Sequence, residues 1–317
     1  MCFKSKFCKV EYVEDLNAVH CQWREKCSFD DYREPLEYGL QLIHKHNAKV
    51  WITDTTHGFE SEVEDTQWLL ENFIPKSIES SCDTIYFIID DNSPLQNEIG
   101  GQSKALSQHF NTKCIRNLEE IKFIEATPII NYLDSEIQKL AVELSDGCSS
   151  DEAIAKNCFE YVRDEIRHSG DYQDDITTCK ASDVLKYKTG WCYAKAILLA
   201  ALLRANGIPT GFCYQRLSCG EYRDNIYCLH GLNAIYLKKH GWYRVDARGN
   251  KEGVNAQFMP PMEKLAFDLG ENEYALEEIY SEPLPEVLHA LQSYKSYEEM
   301  INNFPDIKSS LTIEYNR

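Results

Sequence analysis

The sequence predicts an α+β chain in two parts: an α/β first half, and a second half in which helices precede an antiparallel hairpin. Three observations carry that expectation. Compact β-rich runs at 49–53 and 84–89 alternate with helix-like segments; residues 194–205 form an almost wholly apolar stretch; and 229–245 turns to strand-like alternation around a Lys238-Lys239-His240-Gly241 turn.

In the first half, 17–23 alternates apolar and polar positions as a half-buried strand does. Residues 30–46 carry Tyr32, Leu36, Leu40 and Ile43 at helical spacing, with Asp30 and Asp31 placed to cap the first turn. The runs at 49–53 and 84–89 are continuous rather than alternating, which points to central strands covered on both faces. Helices are expected at 63–73 and 102–110. Ala126-Thr127-Pro128 breaks the pattern and is read as the hinge, so the domains are placed at 1–125 and 130–317.

The second half opens with helices expected at 131–143 and 151–166, the latter preceded by Ser149 and Glu152 at capping-box spacing. From 194 to 205 only Lys195 and Arg204 are not Ala, Ile or Leu, so that helix belongs inside a domain. Gly190 gives the chain freedom to turn before it, and Gly207 with Pro209 ends it. One last helix is expected from 284 to 303.

Composition narrows the function classes. The 317 residues exceed the usual size of a single core, and 43% hydrophobic with 26% charged residues is the balance of a soluble globular protein. A net charge of -18 and a pI near 4.9 repel a phosphate backbone, so nucleic acid is not an expected partner. The first twelve residues lack the apolar core of a signal peptide and no run is long enough to span a membrane, so a cytoplasmic chain without membrane association is expected. The thirteen cysteines are odd in number and scattered, and are read as mostly reduced and buried. Cys213, Cys219 and Cys228 before His230 do not have zinc-site spacing, so neither metal nor cofactor is expected.

The chemistry concentrates on three residues. Cys192 stands at the start of the apolar helix, where unpaired N–H groups and the positive end of the helix dipole favour a thiolate; its own amide is a natural donor to an oxyanion. His230 precedes the Leu232, Ala234, Tyr236 alternation, so a strand places its ring. Asp246 follows on the next strand, within reach to fix the imidazole tautomer, which is triad logic in its cysteine form. A tight turn at Lys239-His240 sets Asp246 diagonal to His230 rather than opposite. Singly, each is more often a buried thiol, a satisfied histidine or a turn carboxylate; the ordered set favours catalysis. His168 and His240 are weaker rivals, one after a helix end and one in a turn. Trp191, Tyr193 and Asn233 are secondary candidates, and Arg248 is expected to pair with a nearby acid.

Gly190-Trp191-Cys192, the 201–209 run Ala-Leu-Leu-Arg-Ala-Asn-Gly-Ile-Pro, His230 with Asn233, and the 242–250 run Trp-Tyr-Arg-Val-Asp-Ala-Arg-Gly-Asn together resemble the transglutaminase-like superfamily over about 135–290, and the 253–258 run Gly-Val-Asn-Ala-Gln-Phe with Tyr280-Ser281-Glu282-Pro283 resembles its bacterial branch. That resemblance implies a papain-like core of helices packed on an antiparallel sheet. It also implies Cys192 as nucleophile, His230 as general base and later acid, and Asp246 as the residue orienting His230. A peptide or protein amide would acylate Cys192, and hydrolysis is the expected outcome, in the manner of a cysteine protease or amidase. Transamidation of protein glutamine by the same triad, or a non-catalytic partner-binding regulator, are the alternatives. The peptide N-glycanase branch is disfavoured by the lack of paired Cys-x-x-Cys ligands. Residues 1–125 resemble the STAS-like regulatory domains of bacteria in element order, in the Trp51-Ile52-Thr53-Asp54 strand end and in the Leu118-Glu119-Glu120-Ile121 close, implying partner binding or self-association.

Overall fold

The computed structural model describes residues 2–90, 92–220 and 226–307, which fall into two compact units, Met1–Ile121 and Lys122–Arg317. The first is a six-stranded sheet in sequential order. Strands β1 (Cys2–Lys4), β2 (Cys8–Val13) and β3 (Ala18–Trp23) pair antiparallel; β4 (Val50–Asp54), β5 (Thr84–Ile88) and β6 (Asn111–Ile115) continue from β3 in parallel. Parallel neighbours require crossovers. These are α1 (Asp30–His46), then α2 (Val63–Trp68) running through a π-turn at Leu69–Phe73 into α3 (Ile74–Ile78), then α4 (Gln96–Leu106). Leu36, Leu40 and Ile43 of α1 share one core with Val19, Trp51, Ile85 and Phe87 of the strands.

Two helices depart from the sequence reading. The segment expected to stop at Phe73 continues to Ile78, and the π-turn sits just ahead of Pro75. Proline has no N–H and crowds the carbonyl four residues back, so a widened turn is the arrangement that lets the helix pass it. The helix expected at 102–110 begins at Gln96, because burial of Leu95 and Ile99 outweighs the weak propensity of Gly100 and Gly101.

The second unit is built around α9 (Cys192–Ala205). Before it come α5 (Ser135–Ser145), α6 (Asp151–Glu165), β7 (Arg167–His168), α7 (Ser169–Tyr172), α8 (Ala181–Tyr187) and β8 (Thr189–Gly190). After it come β9 (Thr210–Ser218), β10 (Tyr227–Leu237), β11 (Gly241–Val245), β12 (Gln257–Met259), β13 (Met262–Lys264) and β14 (Tyr274–Ala275). Strands β11-β10-β9-β14 form an antiparallel sheet, and α9 packs between it and α5, α6 and α8. Every residue of α9 from Cys192 to Arg204 is buried, each fully buried leucine contributing about 1.5–3 kcal/mol.

Its two cations are buried with partners, as they must be. Lys195 Nζ donates to the carbonyls of Arg163 and Ile166 at the end of α6, and burial together with the charge of Arg248 pulls it down to about 7. Arg204 donates to the carbonyls of Thr210, Glu125 and Ser281. Thr127, in the segment read as the hinge, is tied within this unit: its hydroxyl reaches Glu282 and accepts from Ile130 N.

Further differences are local. Helix α5 starts at Ser135 rather than 131 because Asp134 caps it, and α6 is capped by Ser150 rather than Ser149. The single final helix is two, α10 (Pro285–Ser293) and α11 (Tyr297–Asn302), because Ser296 and Glu299 form a capping box that starts a new helix. Cys219 and Cys228 are disulfide-bonded, against the expectation of reduced thiols, because β9 and β10 pair as a hairpin and bring residues nine apart together. Among the described residues no helix is long and apolar enough to cross a membrane.

Candidate active site

Cys192 is the first residue of α9, with Trp191 at the N-cap in an extended conformation and no side chain capping the helix. The first-turn N–H groups are therefore left without side-chain competition beside the thiol. Gly190 serves this entry through space rather than backbone freedom: a Cβ there would lie 3.0 Å from Ala194 Cβ and 3.2 Å from Thr178 Oγ1. Gly231, opposite on β10, is equally constrained, since its Cβ would stand 2.9 Å from the Tyr193 ring. That close approach lets Gly231 N point to Cys192 Sγ at 3.5 Å.

His230 lies on β10 and is 6% exposed. The Lys238–His240 turn joins β10 to β11 with Leu237 opposite Gly241 and Asn233 opposite Val245, so the register carried one step further places Asp246 against Leu232, diagonal to His230. The diagonal is bridged nonetheless, because Asp246 lies just past the end of β11: His230 Nε2 and Asp246 Oδ2 are 2.7 Å apart. Asp246 also accepts from the backbone N–H of Ala266 at 3.1 Å and of Arg248 at 3.1 Å. Burial raises its carboxyl, but the His230 charge and these hydrogen bonds prevail and hold it below the usual range.

The same contest raises His230. Burial opposes its charge, yet Asp246 and the hydrogen-bonded Cys192 outweigh it and lift the imidazole to about 10. The imidazolium thus persists at neutral pH between a carboxylate and the thiol. The Phe267 ring stands edge-on to it at 5.0 Å.

These groups open into a pocket of about 170 Å³ walled by Trp191, Leu217, Leu229, Phe267 and Phe304, with the Cys219–Cys228 disulfide in its lining. Trp191 stacks on Tyr297 and meets Phe304 edge-on. Tyr193 lines the pocket but donates its hydroxyl to Leu229 O. Asn233 is fully buried and donates to Ala196 O and Gly211 O, tying α9 to the sheet; it is not among the pocket residues.

His240 sits in the turn beside Glu152, whereas His168, the other rival, lines the pocket. Arg248 has its acid, a bidentate pair with Asp171 at 2.5 and 2.8 Å. The sequence signal for these last residues is faint, since 168, 171 and 248 belong to separate short segments that only the tertiary fold assembles.

Residues 138–247 match the family model of the transglutaminase-like superfamily. The transglutaminase-like segment thus contains Cys192, His230 and Asp246. Among solved structures the chain is similar to a candidate cysteine protease from Cytophaga hutchinsonii, at 18% identity and a TM-score of 0.34 over 42% of this chain and 43% of that one. It is similar to red sea bream transglutaminase at 12% identity and a TM-score of 0.30, over 37% of this chain and 27% of the other. A candidate protease from Parabacteroides distasonis gives 12% and 0.27, over 45% and 30%. The chain covers less than half the length of each of these structures. None of the curated proteins matches it.

Proposed function

We propose that the protein is a cysteine-dependent acyl-transfer enzyme acting on an amide of a peptide or protein, with Cys192 as nucleophile, His230 as acid and base, and Asp246 holding His230 in place. The observation that carries this reading is the buried Asp246–His230 pair at 2.7 Å, whose imidazolium is hydrogen-bonded to the thiol at a helix N-terminus. The thiol proton resides on His230, so Cys192 attacks the amide carbon as thiolate, the Cys192 amide receives the developing oxyanion, and His230 gives that proton to the leaving nitrogen as the carbon–nitrogen bond breaks. A thioester remains. Water, activated by the now neutral His230, hydrolyses it. We adopt hydrolysis because water needs no acceptor subsite; transamidation is the same chemistry with an amine in its place.

On this reading residues 130–317 are catalytic and 1–125 serve partner binding or self-association. The β-α succession from β3 to β6 supports the STAS-like reading of that first part. A monomeric chain that captures no partner would argue against it.

The direct test is limiting iodoacetamide near pH 7 with mass-spectrometric mapping. Cys192 is expected to label ahead of the other free cysteines, and Cys192→Ala to abolish acyl transfer while melting at the wild-type temperature. Even labelling across the thiols would count against the proposal. Incubating acyl-donor peptides with and without an added primary amine then separates hydrolysis from transamidation by the mass of the product.

A further inference from the structure

The triad leaves one imidazole of the pocket unused. His168 ends β7 and pairs in parallel with Gly190, two residues before Cys192, so one short backbone ladder fixes both the ring and the amide of the nucleophile. The side chain is 6% exposed, lines the pocket, and stands edge-on to Trp191 at 5.7 Å. Its Nδ1 is buried without a hydrogen-bond partner, and Asp171 Oδ2 is 3.6 Å away, beyond bonding range. Asp171 already accepts from Arg248 with both oxygens and from Lys251 at 2.9 Å. A buried ring nitrogen without a protein partner requires an explanation. With Nδ1 on the Asp171 side, the ring is still one of the residues that line the pocket shared by Cys192 and His230.

We propose that His168 is the second oxyanion donor, giving a ring N–H to the substrate carbonyl oxygen beside the amide of Cys192. This rests on the thioester reading above. As the Cys192 Sγ–carbon bond forms, the carbonyl π pair moves onto oxygen and both donors tighten on it. His168 neither gains nor loses a proton. When the intermediate collapses, the carbonyl re-forms, the carbon–nitrogen bond breaks, and the leaving nitrogen takes its proton from His230.

Burial and the cations Arg248 and Lys195 hold His168 well below the ordinary histidine value. A neutral imidazole suits this role, because it polarises oxygen without competing with His230 for the proton. Two donors fixed in one frame are preorganised for charge that develops only in the transition state.

Two probes separate this role from a structural one. Acylation of Cys192 by p-nitrophenyl acetate passes through an oxyanion, whereas alkylation by iodoacetamide is a displacement at a saturated carbon and forms none. With Cys192→Ala subtracted as background, His168→Ala is expected to slow acylation about 100-fold and alkylation less than about threefold. His168→Gln, which restores an N–H donor, is expected to recover about tenfold of that loss. Acylation by His168→Ala at the wild-type rate overturns the assignment. So does an equal fall in both rates, or a glutamine variant no faster than alanine. A wild-type chain whose Cys192 resists both reagents removes the nucleophile and this inference together, while reactive Cys192 with unimpaired His168→Ala removes this inference alone.

Discussion

Two imidazoles line one pocket, each with a carboxylate beside it, and the geometry of those carboxylates gives the rings opposite charge states. Asp246 lies 2.7 Å from His230 and has only backbone N–H groups as further partners, so its charge remains available to the ring. Asp171 lies 3.6 Å from His168 and is neutralised by Arg248 and Lys251. Both rings are buried. One is held charged at neutral pH and the other neutral, which teaches that a carboxylate's effect on a histidine depends on what else the carboxylate holds.

The sharpest way to break this comparison is to neutralise each carboxylate in turn. Asp246→Asn leaves the shape of the site but releases the His230 tautomer and removes its countercharge, so acyl transfer is expected to fall on the order of 10⁴-fold, as in other triads. Asp171→Asn is expected to cost about tenfold or less, since its carboxylate only anchors Arg248 near His168. Steady-state ester hydrolysis by both variants checks this. Similar losses would erase the distinction.

Titration sharpens it next. By NMR of the ring carbons, His230 is expected to titrate at about 10 and to move down in Asp246→Asn, where burial is less opposed. His168 is expected to stay neutral from pH 6.5 upward and to move up in Arg248→Met, which removes a cation beside the ring and leaves Asp171 with Lys251 alone. The sign for stability follows for His230. Its folded value is raised, so its contribution is full below the unfolded value of 6.5 and is lost as pH rises through about 10. Thermal melts across that window should decline in the wild type and change less in Asp246→Asn.

What the sequence made legible follows the same division. The Cys192, His230 and Asp246 set could be read because a helix start and two consecutive strands are local patterns, and their order along the chain carries the geometry. The α9 core and the parallel strands of the first unit were legible from continuous apolar runs, and the hairpin from its alternation around a turn. His168 was not, because β7 is two residues long and gains meaning only when it pairs with β8 in front of Cys192. Phe304 and the Cys219–Cys228 disulfide were hidden likewise: their spacing carries no period, and only tertiary packing brings them to the pocket. Gly190 was singled out for turning, although crowding by Ala194 and Thr178 is what excludes a side chain.

The smallest expected effect concerns β10 itself, which bears His230 and Asn233 on alternate faces. Asn233 Nδ2 bridges the carbonyls of Ala196 on α9 and Gly211 on β9, at 3.0 and 3.2 Å. Asn233→Ala leaves both buried carbonyls short of a donor and is expected to destabilise the fold by about 1–3 kcal/mol in urea unfolding. Its effect on Cys192 alkylation should be under about threefold at temperatures where the variant is folded, because the loss lies behind the helix rather than in the pocket. A fall in alkylation comparable to that in Asp246→Asn, with stability unchanged, would mean that Asn233 acts on the thiol and that the working surface of β10 is wider than the His230 face.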